Sequence, residues 1–137
     1  MIYTTHSADQ TKKIAADFSK SLKGGEFVAL IGELGSGKTT FVQGLAAAFG
    51  STAKVKSPTF TLLNIYPTTH PAIKQIVHVD YYRAPHAAID MGLEEYHRPD
   101  TVIVVEWPRK QDLKNHPLVV RFEHGADSNE RIIILTR

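Results

Sequence analysis

The sequence predicts an α/β fold, with a mixed, mostly parallel sheet flanked by helices in a single compact domain over residues 1–137. Three observations predict it. A glycine-rich segment lies between a short apolar run and a helical pattern, as in a strand–loop–helix unit. Two further apolar runs, 76–80 and 102–106, end in a carboxylate, as buried parallel strands often do. The length of 137 residues suits one ordinary domain with its own core.

The composition is that of a globular protein and excludes several other classes. Hydrophobic residues make up 42% and charged residues 22%, and no apolar run approaches the length of a membrane span. There is no cysteine, so neither a disulfide framework nor a thiolate metal site is expected. No secretory leader is visible, which predicts a soluble, cytoplasmic protein with no membrane partner. The net charge of +2 alone gives little support to RNA binding.

The glycine-rich segment fits the phosphate-binding loop pattern G-x-x-x-x-G-K-[ST] at every fixed position. Its residues are the candidate nucleotide-binding residues Gly32, Glu33, Leu34, Gly35, Ser36, Gly37, Lys38, Thr39 and Thr40. Glycines allow several backbone N–H groups to surround one polyphosphate, and Lys38 adds a mobile positive charge. The hydroxyl of Thr39 suits a magnesium ion, and the helix that follows directs its partly positive end at the anion. A strand at 26–31 and a helix at 41–49 complete the context and predict a P-loop NTPase-like fold that binds a nucleoside triphosphate.

The N-terminal region predicts a short strand and a helix. Met1 to Thr5 contains β-branched and aromatic residues typical of a strand. Ser7 and Gln10 form a capping-box pattern, and apolar residues then line one face of a helix that ends at Gly24–Gly25. The lysines of this helix could steer phosphates or RNA, although a solvated surface is the simpler interpretation.

The segment after the second helix predicts a loop over 51–56, a stiffened turn at Ser57–Pro58–Thr59 and a strand up to Tyr66. A threonine on such a turn can sense the terminal phosphate of a bound nucleotide, so Thr59 is a catalytic candidate. The alternative is a Ser-Pro turn that only starts the strand. The turn-rich stretch 66–71 predicts that the strands around it are antiparallel neighbours.

Asp80 and Glu106 are the candidate acids, because each ends an apolar run at the sheet edge where ligands bind in open α/β folds. One carboxylate is needed to hold magnesium, and a second can orient the attacking water. The sequence leaves open which of the two acids holds magnesium and which orients the water. His78 is better explained by a structural hydrogen bond than by metal binding. Arg83 could contact phosphate or pair with a nearby acid.

The C-terminal half predicts a short helix over 85–91 and two closing strands, 117–123 and 131–135, joined by a turn that contains Gly125. Trp107 directly follows Glu106 and could pack on the nucleotide, on a partner or in the core. His124 and Asp127 are expected at the surface.

Taken together, these motifs resemble the TsaE (YjeE) family over nearly the whole chain. Besides the phosphate-binding loop, the resemblance rests on an N-terminal helix that carries Thr11 and on four short motifs in order: 57–60 (Ser-Pro-Thr-Phe), 78–83 (His-Val-Asp-Tyr-Tyr-Arg), 92–95 (Gly-Leu-Glu-Glu) and 106–108 (Glu-Trp-Pro). Ala84 and the pair Arg109–Lys110 depart from the usual family pattern. Neither departure falls on a residue with an assigned chemical role.

The resemblance implies Mg²⁺-dependent ATP binding and slow hydrolysis to ADP, stimulated by the partner subunits TsaB and TsaD. These partners transfer a threonylcarbamoyl group to an adenosine beside the tRNA anticodon, so this chain would meet tRNA through the complex. Lys38 would neutralise the outer phosphates. Thr39 would hold magnesium together with Asp80 or Glu106, and Thr59 would act as the phosphate sensor.

Three other classes of function also use a phosphate-binding loop. A small-molecule kinase needs a lid that excludes water, and the sequence has no long insertion to form one. A GTPase is disfavoured because no Asn-Lys-x-Asp-like segment reads the base. A nucleotide-gated binding module would use ATP only to order a partner surface, with hydrolysis incidental.

Overall fold

The computed structural model describes residues 1–56, 63–82, 93–114 and 116–136. Its elements are β1 (Ile2–Thr5), α1 (Ala8–Ser19), β2 (Phe27–Gly32), α2 (Lys38–Ala48), β3 (Leu63–Pro67), β4 (Gln75–Asp80), β5 (Thr101–Glu106), α3 (Lys110–Leu113), β6 (Leu118–His124) and β7 (Arg131–Thr136). A 3-10 turn spans Leu93–Tyr96. No helix in these ranges is long and apolar enough to cross a bilayer.

All seven described strands form one sheet, in the order β1-β7-β6-β2-β5-β4-β3. The central strands β6, β2, β5 and β4 are mutually parallel, whereas β7 and β3 run in the opposite direction. The phosphate-binding loop follows β2, which lies at the middle of this parallel block. The prediction of a mixed, mostly parallel α/β sheet of the P-loop NTPase-like type is confirmed. The extent of the domain, 1–137, stays a prediction.

The two faces of the sheet carry separate hydrophobic cores. On one face, Phe18 of α1 and Phe41 and Leu45 of α2 belong to one core cluster with strand residues such as Val28 and Val104. The opposite face is covered by Leu93 and Tyr96 of the 3-10 turn together with Tyr81 and Trp107. Because side chains alternate along a strand, one register of β4 and β5 serves both cores and also fixes the face on which each terminal acid lies.

Helices α1 and α2 pack with their backbones in close contact at Gly44. A Cβ atom on Gly44 would lie 2.6 Å from Cα of Lys12 and 2.7 Å from its carbonyl oxygen. Only a residue without a side chain fits there, and this close packing holds the start of α1 over the phosphate-binding loop.

The N-terminal helix differs from its prediction at both ends. The Ser7 hydroxyl accepts from the backbone N–H of Gln10, but the Gln10 side chain accepts from the N–H of His6 rather than of Ser7. The helix ends at Ser19, before the predicted Gly24–Gly25, because the hydroxyls of Ser19 and Ser21 donate to the carbonyls of Ala16 and Phe18. Such side-chain bonds compete with helical ones.

The remaining elements largely follow the predictions. Strands β3 and β4 pair antiparallel across the turn-rich stretch, as do β6 and β7 across the turn at Gly125. The four-residue helix α3 was not predicted, because it lacks an apolar period and rests on a local bond network between Arg109 and Asp112. The predicted helix over 85–91 and the positions of Thr59 and Arg83 lie outside the described residues.

Candidate functional site

The phosphate-binding loop connects β2 to α2 at the carboxyl edge of the sheet. Gly37 precedes α2 with a left-handed backbone (φ 105°), and Gly35 is also left-handed (φ 73°), both conformations that favour glycine. A Cβ atom on Gly32 would lie 2.8 Å from the Phe122 carbonyl oxygen of β6. The first N–H groups of α2 have no acceptor within the helix and are available to an anion.

Lys38 is folded back onto its own loop. Its Nζ donates to the carbonyl oxygens of Gly32, at 2.5 Å, and Glu33, at 2.9 Å, and the side chain is buried. Burial lowers the pKa of Lys38 below its ordinary value of 10.5, while the negative charges of Glu106 and then Asp80 oppose that shift. The ammonium group is thus held among neutral carbonyls, where an anionic oxygen would be a stronger partner.

Asp80 and Glu106 are register partners at the ends of the neighbouring parallel strands β4 and β5. Both side chains are buried and both line the same cleft as Lys38. Asp80 Oδ1 accepts from the N–H of Tyr82 at 2.8 Å, which fixes the carboxylate against its own turn. The two acids predicted from separate strand ends therefore lie side by side across from the loop.

Glu106 belongs to a buried chain of hydrogen bonds with His78 and Tyr66. The His78 Nε2 and Glu106 Oε2 atoms are 2.5 Å apart, and His78 Nδ1 lies 2.9 Å from the Tyr66 hydroxyl. The Tyr66 hydroxyl also donates to the Lys56 carbonyl at 3.0 Å. Burial raises the pKa of the Tyr66 phenol above its ordinary value of 10.0. The prediction of a hydrogen-bonded His78 matches these contacts.

Lys38, Asp80 and Glu106 line a cleft of about 470 Å³, a size common for small-molecule sites. Of the predicted nucleotide-binding residues, it is lined by Leu34, Gly35, Gly37, Lys38, Thr39 and Thr40. Gly32, Glu33 and Ser36 do not line it. Gly32 and Glu33 instead supply the carbonyls that bind Lys38, and Ser36 is buried beneath the loop.

Several lining residues were not assigned to the site from the sequence. They are Ser7, the N-cap of α1, Ala8 and Thr11 of α1, Asn129 in the turn between β6 and β7, and Arg131, the first residue of β7. Their positions depend on α1 packing on α2 and on β6 pairing beside β2, and neither contact has a local sequence signal. Arg131 Nη1 donates to the carbonyls of Ser128 and Glu130.

Trp107 separates this cleft from a second one. Its backbone is left-handed (φ 56°), and its ring packs on Tyr82 with ring centroids 5.0 Å apart. The Lys38 Nζ lies 4.8 Å from the centroid of the Trp107 ring, a cation–π arrangement. The second cleft, of about 630 Å³, is also lined by Trp107, and its other lining residues include Tyr81, Tyr82, Pro108 and Leu113.

The side chains that line the cleft include groups that suit a nucleotide and a magnesium ion. Among the described residues, no three His, Asp or Glu side chains group tightly enough to hold a metal ion alone. Mg²⁺ does not require such a group, because it usually binds one or two carboxylates, water and phosphate oxygens. The N–H groups at the start of α2 and the Lys38 ammonium offer donors to phosphate oxygens, and Thr39, Asp80 and Glu106 offer oxygen ligands to magnesium in the same cleft. The site therefore fits a phosphate chain with magnesium.

Comparisons with known proteins agree with the fold and the motifs. Residues 5–133 match the family model described as threonylcarbamoyl adenosine biosynthesis protein TsaE. The tRNA threonylcarbamoyladenosine biosynthesis protein TsaE of Bacillus subtilis is 33% identical over 132 residues, which cover 95% of this chain and 82% of that protein. The protein of the same name from Aquifex aeolicus is 35% identical over 133 residues, with 96% and 92% covered.

A solved structure extends the likeness to three dimensions. The crystal structure of YdiB from Bacillus subtilis superposes with a TM-score of 0.77 at 29% sequence identity. The superposition covers 98% of this chain and 83% of that one. With the family match spanning nearly every described element of the sheet, the chain belongs to the TsaE family.

Proposed function

We propose that this protein binds and slowly hydrolyses ATP in support of tRNA threonylcarbamoyladenosine synthesis, acting with TsaB and TsaD. The observation that carries the proposal is the convergence of Lys38, Asp80 and Glu106 on one cleft at the start of α2. Family membership supports the pathway, and the chemistry of the cleft supports the nucleotide.

ATP binding would use the loop as a phosphate cradle. Lys38 would exchange the neutral carbonyls of Gly32 and Glu33 for oxygens of the β- and γ-phosphates, since charge-assisted hydrogen bonds are stronger than neutral ones. The first N–H groups of α2 would receive a phosphate oxygen. Gly35, beside which a Cβ would meet nothing within 4 Å, leaves space for close approach of the nucleotide.

Magnesium would be held by the Thr39 hydroxyl and by one of the two acids, Asp80 or Glu106. Bound there, the ion would neutralise charge on the phosphate oxygens. The other acid would orient water for attack on the γ-phosphorus, with cleavage of the bond to the β–γ bridging oxygen and release of ADP and phosphate. Thr59 stays a candidate sensor of the γ-phosphate on the basis of its sequence motif.

The proposed partners and substrate follow from the family. TsaB and TsaD would stimulate hydrolysis, and TsaD would perform the transfer to adenosine in tRNA. This chain would reset the complex between turnovers and meet tRNA through its partners. Work on tRNA implies a cytoplasmic location.

The test is reconstitution with purified TsaB, TsaD, tRNA and a threonylcarbamoyl donor. We expect phosphate release that requires Mg²⁺, rises when both partners are added, and accompanies repeated rounds of threonylcarbamoyladenosine formation. Absence of hydrolysis with both partners present would overturn the ATPase. Transfer of phosphate to a small molecule instead of water would favour the kinase.

A Glu106→Gln variant separates an ATPase from a nucleotide-gated module. We expect loss of turnover with nucleotide binding retained, and loss of sustained modification in the reconstituted reaction. Full modification by a variant that cannot hydrolyse ATP would favour the module.

A further inference from the structure

We propose that His78, anchored by Tyr66, is a positioning residue that fixes the orientation of the Glu106 carboxylate in the ATPase site. This inference rests on the proposed ATPase function and adds a residue that acts only through Glu106. It is carried by the buried chain of contacts from Tyr66 through His78 to Glu106.

The three side chains share one face of the sheet. Tyr66 on β3 belongs to the core cluster beneath α1 and α2, as do Ile76 on β4 and Val104 on β5. Side chains alternate along a strand, so His78 lies on the same face as Ile76, and Glu106 lies on the same face as Val104. The contacts therefore cross β3, β4 and β5, and β5 pairs with β2, the strand that leads into the phosphate-binding loop.

The role of His78 follows from the difference between its position and that of Glu106 relative to the cleft. His78 is 0% exposed and does not line the nucleotide cleft, whereas Glu106 lines it at 3% exposure. His78 therefore has no direct route to a ligand in the cleft. Its Nε2 bonds only one carboxylate oxygen, Oε2, so the carboxylate can present Oε1 to the cleft.

Without this contact the Glu106 carboxylate could rotate about its side-chain bonds, and Oε1 would no longer be held in one orientation toward the cleft. Catalytic groups must be held within a fraction of an ångström by neighbours that are themselves fixed. Tyr66 fixes the other side of the imidazole, and its own hydroxyl is held by the Lys56 carbonyl. Each link thus limits the rotation of the next.

The test compares four variants in Mg²⁺-saturated ATP hydrolysis with TsaB and TsaD. His78→Leu removes both ring contacts, His78→Gln restores a donor of similar reach, and Tyr66→Phe removes only the hydroxyl. Thr101→Val is the matched control, because Thr101 is a buried polar residue at the opposite end of β5. Nucleotide affinity and thermal unfolding are measured for every variant.

For His78→Leu we expect kcat to fall about 10-fold to 100-fold with the dissociation constant for ADP nearly unchanged. His78→Gln should recover a large part of that loss, and Tyr66→Phe should lower kcat about fivefold, the effect of one hydrogen bond. Thr101→Val should lose stability only. If His78→Leu does not fold, His78→Gln and Tyr66→Phe decide, because wild-type kcat in Tyr66→Phe or no retained activity in His78→Gln would overturn the proposal.

Four outcomes would overturn the positioning role: wild-type kcat in folded His78→Leu, wild-type kcat in Tyr66→Phe, an equal loss of kcat and nucleotide affinity in His78→Leu, or no recovery in His78→Gln. Each of these leaves the wild-type ATPase intact. A wild-type protein that does not hydrolyse ATP with its partners would instead overturn the proposed function, and the positioning role with it.

Discussion

The ammonium nitrogen of Lys38 lies 4.8 Å from the centroid of the Trp107 ring, which links the phosphate-binding loop to the end of β5. Trp107 is the only tryptophan in the chain, so its fluorescence reports on this contact. We expect a saturable change in emission when MgADP is titrated, because phosphate oxygens draw Lys38 away from the ring. Trp107→Phe should lose the signal. Calorimetric binding without any change in emission would contradict the proposed movement of Lys38.

Removal of the Lys38 ammonium should weaken nucleotide binding without unfolding the protein. For Lys38→Ala we expect the dissociation constant for ADP to rise about 100-fold or more, because the charge-assisted hydrogen bonds to phosphate are lost. Isothermal calorimetry measures it, and Lys13→Ala, a change at an exposed lysine of α1, is the matched control. Equal ADP affinities of Lys38→Ala and the control would show that Lys38 does not bind the nucleotide.

The lowered pKa of Lys38 predicts a pH dependence of stability. In the window between that lowered value and 10.5, the unfolded chain keeps the Lys38 proton that the folded chain has lost. Unfolding then takes up a proton, so this group makes the free energy of unfolding rise with pH. Denaturant unfolding of the wild type and Lys38→Met should diverge through this window, in favour of the wild type. A difference in unfolding free energy between the two proteins that does not change with pH would show that Lys38 keeps its proton as readily in the folded state as in the unfolded state.

Asp80 should matter to the metal more than to the nucleotide. We expect Asp80→Asn to lower Mg²⁺-dependent hydrolysis at least 10-fold while Mg²⁺-free binding of ADP changes little, because a metal ligand acts only when the metal is bound. Asp17→Asn, at an exposed acid of α1, is the control. Equal losses with and without magnesium would place Asp80 outside the metal shell.

The close contact of α1 and α2 predicts that Gly44→Ala destabilises the protein. Alanine gains about 1 kcal/mol over glycine in a helix, but overlap with the Lys12 backbone should produce a net loss of about 1–3 kcal/mol. Nucleotide affinity should also fall, because α1 carries Ser7 and Thr11 into the cleft. Chemical denaturation and ADP titration measure the two effects.

Ala47→Gly is the control for helix propensity, since Ala47 is an exposed residue of the same helix. It should lose about 1 kcal/mol and keep its affinity for ADP. A Gly44→Ala variant that is more stable than the wild type would show that the helices separate freely.

The parts of the site that were predictable are those with a local signal. The loop from Gly32 to Thr40 could be recognised because its chemistry fixes residue types at fixed spacing. Asp80 and Glu106 could be placed because each follows an uninterrupted apolar run, and parallel strands bring such ends to one edge of the sheet. The pairing of β3 with β4 followed from the turn residues between them.

The remainder depends on contacts between distant segments. Arg131 lines the cleft because β6 pairs with β2 and β7 returns beside β6, an order that no residue in 118–136 encodes locally. The contact between Tyr66 and Glu106 through His78 likewise needs the register of three strands. A helix of four residues such as α3 is too short to show an apolar period, and its N-terminal end depends on contacts between Arg109 and Asp112.

The left-handed backbone of Trp107 lowers the stability of the folded protein. Such a conformation costs a residue with a side chain about 1–2 kcal/mol, a penalty that glycine would not incur. A bulky indole at this position thus sacrifices stability. The same indole lines both the cleft of Lys38 and the aromatic cleft beside it, so occupancy of either cavity can be sensed through one side chain.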